Sequence, residues 1–101
     1  MVFVKIYDFM FCELKYAKKY TECAIMYKTN NDIEMYNTCI KLAEAELSHS
    51  EIWHNMSDTK IKKHTEKIQT DEYLRAFIED KEAHFLHKYA KVKYMLESAK
   101  K

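Results

Sequence analysis

The sequence predicts an all-α protein, and two features of it carry that prediction. None of its 101 residues is Gly or Pro, although average usage would supply about 7 and about 5 in this length. Tight turns, hairpins and strand bulges therefore lack the residues they depend on, and long helices are the economical alternative. Apolar residues also recur in alternating steps of three and four along three stretches, which places them on one side of a helix. The length suits one domain.

The first predicted helix covers about residues 2–28, with a seam of Phe3, Ile6, Met10, Glu13, Ala17, Tyr20, Ala24 and Tyr27. "KTNNDIEMY" interrupts it. Asn31 is the expected N-cap, and Glu34 three residues later completes a box-like signature, opening a second helix over about 32–57. Its seam reads Met35, Cys39, Leu42, Glu46, His49, Trp53, Met56. "SDTKIKKHTEKIQT" is polar, with Lys60, Lys62, Lys63 and Lys67, and residues 58–70 read as a solvated linker holding at most a helical turn. Thr70, followed by Asp71 and Glu72, opens a third long helix over about 71–99. One choice of seam there is Ile78, Glu82, Phe85, Tyr89, Val92, Leu96, Ala99. The expected arrangement is a long antiparallel hairpin with the third helix packed on it.

Composition narrows the function classes. A formal net charge of +1 supplies no basic footprint for nucleic acid or an anionic membrane. The apolar opening "MVFVKIYDFMF" is interrupted by Lys5 and Asp8, leaving no run suited to a signal-peptide core or a membrane span. Cys12, Cys23 and Cys39 are odd in number and lack Cys-x-x-Cys spacing, so a cytoplasmic protein with reduced, buried, structural thiols is expected. No Ser–His–Asp or Cys–His arrangement and no phosphate loop is legible.

The anomaly lies in the seams, each of which carries a carboxylate. "EAELSHSEIWH" contains Glu-x-x-His twice, as Glu46 with His49 and as Glu51 with His54. At 100° per residue Glu46 and His49 fall on the seam, Glu51 lies on the far side and His54 on the flank, so the second pair is expected in solvent. Carboxylates inside a small core are costly unless paired or bound to metal. One reading makes Glu13, Glu46 and His49 metal ligands. The other pairs Glu13 with a lysine and satisfies His49 through Glu46 or Ser50. Dinuclear carboxylate bundles use a Glu from each of two helices and Glu-x-x-His from each of two more. One hairpin supplies half of that set, and a two-fold homodimer, or a higher even oligomer, supplies all of it. These ligands suit iron or manganese, with zinc a poorer match.

"ELKYAKKYTECAIMYK", the break, and "MYNTCIKLAEAELSH" resemble the ferritin-like, rubrerythrin-type superfamily, most closely its small phage and prophage members. The tail "HKYAKVKYML" is similar to their closing helix. The resemblance implies a ferritin-like half-bundle completed by dimerisation, in which Glu13 is a terminal or bridging ligand, Glu46 bridges and His49 supplies nitrogen. It also implies a possible di-iron or dimanganese site with oxidase- or peroxide-type chemistry. The four-cysteine iron module of rubrerythrins is missing. The alternative is a non-catalytic helical interaction or structural protein on the same scaffold, phage-encoded or otherwise. Glu82 is an additional ligand candidate or a partner for His49, with a surface charge beside Lys81 the simpler reading. His84 and His87 read as solvated, and Trp53 as core packing.

Overall fold

With no glycine to draw on, the chain must reverse direction through residues that carry a Cβ. In the computed structural model, which describes residues 2–101, that task falls to Asn31, the one positive-φ residue among those described, at φ 62°. The first helix, α1 (Val2–Thr29), closes on it. The Asp32 N–H donates to the Tyr27 carbonyl at 2.9 Å and the Asn31 N–H to the Lys28 carbonyl at 3.1 Å. This is a Schellman closure with Asn in the left-handed position.

Asn31 is thus the C-terminal cap of α1 and not the N-cap of the next helix. Asp32 caps α2 (Ile33–Lys63), accepting from the Met35 N–H at 3.1 Å. The third long helix is likewise opened by the neighbour of the expected residue. Asp71, and not Thr70, accepts from the Leu74 N–H at 3.0 Å. In both places an Asp carboxylate caps where Asn and Thr stood as rivals.

The expected linker is almost wholly helical. α2 continues to Lys63, and after His64 a short α3 (Thr65–Thr70) leads to Asp71 and α4 (Glu72–Ala99). Polarity alone does not end a helix when nothing in the stretch breaks it. Lys60, Lys62 and Lys63 stand in the last turn of α2, where cations complement the helix dipole, and Ile68 is buried.

Side-chain pairs fix the topology. Phe9 stacks on Trp53 and Ser57 bonds to Tyr7, so α1 and α2 are antiparallel. Tyr7 reaches Glu82 and Lys28 reaches the Ala99 carbonyl, so α4 runs parallel to α1. The result is an up–down–up rod of 56 × 18 × 17 Å. α1 packs most extensively on α2, less on α4, and α2 meets α4 over a small area. No described helix is long and apolar enough to cross a membrane.

The core of α1 follows the expected seam in Phe3, Ile6, Met10, Ala17 and Ala24, with Tyr7, Leu14 and Thr21 added. That of α4 contains Leu74, Ile78, Phe85, Val92, Leu96 and Ala99. The seam of α2 is displaced. Its buried residues are Cys39, Ile40, Ala43, Leu47, Ser50 and Ser57, whereas Met35, Leu42 and Met56 are 38%, 41% and 43% exposed. Trp53 is only partly buried. Cys39 is buried as expected, but Cys12 and Cys23 are exposed.

Asp32→Ala is expected to lower stability by about 1 kcal/mol, read as a shift in the urea midpoint at constant slope. Asn31→Gly should leave the midpoint unchanged or raise it, while Asn31→Val should lower it, because a β-branched residue is strained at positive φ.

Candidate metal centre

α1 and α2 run antiparallel with Glu13 opposite the Glu46–His49 turn. One ligand atom from each of Glu13, Glu46 and His49 lies within 4.8 Å of the others. His49 Nδ1 is 3.6 Å from Glu13 Oε2 and 4.0 Å from Glu46 Oε2. The side chains are 25% (Glu13), 22% (Glu46) and 52% (His49) exposed. They sit at the mouth of the α1–α2 groove and not inside the core, which corrects the inward orientation expected of Glu46 and His49. Ser50 is not their partner, since its hydroxyl donates to the Leu47 carbonyl at 2.6 Å.

The donor set fits a divalent ion. Bonds of about 2.1 Å in tetrahedral or octahedral geometry separate ligand atoms by roughly 3.0–3.4 Å. The observed spacings from His49 Nδ1, 3.6 and 4.0 Å, are a little wider. The contacts of His49 with Glu13 and Glu46 are ion-pair distances, longer than hydrogen bonds.

Glu82 belongs elsewhere. Its Oε1 lies 2.5 Å from His54 Nε2, and its Oε2 accepts from the Tyr7 hydroxyl at 3.3 Å. The Tyr7 oxygen in turn accepts from Ser57 Oγ at 3.2 Å. His54, Asp58 and Glu82 form a second nitrogen-and-carboxylate group, with one ligand atom of each within 4.8 Å of the others. Phe85 stacks on the His54 ring. Glu51 accepts from the Tyr89 hydroxyl. The pair expected in solvent therefore faces α4, with Glu51 exposed and His54 half-buried. Its polar atoms are largely satisfied within the protein, so the group works as a clamp between helices.

Sequence reading missed Tyr7, Ser57 and Asp58. Tyr7 follows Ile6 by one position and falls off the chosen seam, and Ser57 and Asp58 lay at the supposed helix end. The usable signal was the four-residue step from His54 to Asp58, legible only once α2 is known to continue. His84 and His87 are exposed, as expected.

No family model, curated protein or solved structure matches the chain.

Burial pushes the Tyr7 phenol up to about 12, with the Glu82 carboxylate adding to the shift and the Ser57 bond opposing it. Tyr89 is also raised to about 12, first by burial and then by its bond to Glu51. Both phenols are held neutral in the fold while the unfolded chain ionises near pH 10. Their contribution to stability is complete below about pH 10 and is lost as pH rises through 12. Ultraviolet titration of the folded protein should show a late phenolate component. Tyr7→Phe should remove part of it and make the alkaline loss of stability shallower.

Proposed function

We propose that the chain is a metal-binding protein of ferritin-like type, whose site is a dinuclear iron or manganese centre assembled between two copies. The observation that carries this reading is the approach of Glu13, Glu46 and His49 across the α1–α2 groove. One chain offers two carboxylates and one imidazole, half of a dinuclear set, and a two-fold related copy offers the rest. The surroundings support a partner copy. Phe9, Tyr16, Leu42 and Met56 are each more than two-fifths exposed, and on the helical wheel they flank the three ligand residues. A second copy laid on that face would cover them and desolvate the carboxylates, raising the gain from a bound cation.

In the assembled site Glu46 would bridge, Glu13 would bind terminally or bridge, and His49 would donate Nδ1. Bound iron would supply one-electron chemistry toward dioxygen or peroxide. The residues of the chain orient the ion and, in the dimer, exclude water from it. The second reading, a non-catalytic helical interaction protein on the same scaffold, draws on the exposure of His49. Groups in contact with solvent carry little desolvation cost, and no ion is then required to offset it.

Three measurements separate the two readings. Protein purified without an affinity tag should contain iron or manganese by elemental analysis and scatter light as a dimer at tens of micromolar. Ferrous or manganous ion should raise the melting temperature by mass action, by roughly 10 °C or more when the ion is about a hundred-fold above its Kd. Glu46→Ala should abolish that rise, whereas Glu51→Ala should keep it. If metal moves neither wild type nor Glu46→Leu, and Glu46→Leu is simply the more stable, the metal reading is wrong and the interaction reading stands.

A further inference from the structure

The groove between α1 and α4 is chemically unlike the one that holds Glu13, Glu46 and His49. It encloses about 850 Å³ and is bordered by Lys15 and Lys18 from α1 and by Lys88 and Lys91 from α4. Among the described residues none of these four ammonium groups has a carboxylate within salt-bridge distance. Asp8 is the single acid lining the groove. The Lys88 ammonium lies 5.7 Å from the centre of the Phe11 ring. The floor is apolar and formed by Phe11, Leu14, Val92 and Met95. Two lysines from each helix above an apolar floor, with Asp8 as the one acid beside them, give the groove a net positive rim suited to an anion.

We propose that this groove binds a single-chain anionic amphiphile of the fatty-acid class. Its acyl chain lies on the Phe11, Leu14, Val92 and Met95 floor, and its carboxylate sits among the lysines. The lysine stems extend the apolar walls while the ammonium groups stay at the rim and meet the head group. The volume is that of a small-molecule site. Residues 8 to 18 of α1 border it, a length of roughly 15 Å at 1.5 Å per residue. That suits one medium-length acyl chain. It is short for a protein partner, since a stable protein interface buries about 800 Å² on each side.

The test is calorimetric titration of the full chain with decanoate below its micelle concentration, beside decyl glucoside as the uncharged chain of equal length. Methyl resonances of Leu14, Val92 and Met95 report where the ligand sits. The expected result is one saturable decanoate site per chain, shifts confined to those methyls, and at least tenfold weaker binding of decyl glucoside and of hexanoate. Lys15→Glu/Lys91→Glu should weaken decanoate at least tenfold. Lys15→Gln/Lys91→Gln should weaken it less and serves where charge reversal disturbs the helical circular dichroism. Unsaturable binding, equal affinity for decyl glucoside, indifference to both double variants, or shifts elsewhere would overturn the proposal. Binding of an acidic helical peptide in place of decanoate would overturn it equally.

Discussion

The structure depends on how closely α1 and α2 approach. The contact surfaces of the two helices are built from small side chains. Ala17, Thr21 and Ala24 on α1 and Ala43, Ser50 and Ser57 on α2 are all fully excluded from solvent. Residues of this size let two backbones come near enough for dispersion contacts along most of their length. Each of these buried hydroxyls finds an acceptor, Thr21 in the Ala17 carbonyl and Ser50 in the Leu47 carbonyl within their own helices, and Ser57 in the Tyr7 oxygen of α1. The cost of burying polar groups is thereby removed, and no buried side-chain polar atom among the described residues lacks a partner.

That choice rotates α2. Because its small residues face α1, the bulky Met35, Leu42 and Met56 are turned toward solvent, and Glu46 and His49 stop at the groove mouth. The expected α2 seam took Met35, Leu42 and Met56 for the core and missed Ile40, Ala43, Leu47, Ser50 and Ser57, which lie one position to the side. The helices themselves were legible because the sequence holds no Gly or Pro to interrupt them. Their ends were less so. "NND" and "TDE" each offer rival caps, and only backbone geometry shows that Asn31 is needed at positive φ, leaving the cap to Asp32. The meeting of Glu13 with Glu46 and His49 was legible because it requires only an antiparallel hairpin of known register. The Tyr7–Glu82–His54 network was not, because it depends on where α4 docks.

A three-helix rod has three outer grooves, and here each holds its charge differently. Between α2 and α4, Glu82 is bonded to both His54 and Tyr7 and Glu51 accepts from Tyr89. Those groups are already answered within the chain. The far end of the rod is closed in the same way, with Tyr36 and Lys28 donating to the Ala99 carbonyl and Lys100 meeting Glu44 at 3.0 Å. Such contacts hold α4 in place where its apolar overlap with α2 is small.

The other two grooves are unanswered and opposite in sign. Glu13 and Glu46 gather negative charge beside His49, while Lys15, Lys18, Lys88 and Lys91 gather positive charge above an apolar floor. The two sets use different faces of α1, so the near-neutral net charge of +1 conceals a strongly divided surface. Exposed like charges held together cost the fold stability, yet salt screens most of that cost over a Debye length of about 8 Å at physiological ionic strength. A bound counter-ion removes more of it, because it sits inside that distance and gives up its own hydration only where the groove supplies replacement ligands. On the readings proposed above, the carboxylate–imidazole mouth would supply those ligands to a cation, and the lysine rim would supply them to an anion. On those readings the sign and geometry of the side chains, more than the near-neutral net charge, would decide which ion each groove takes.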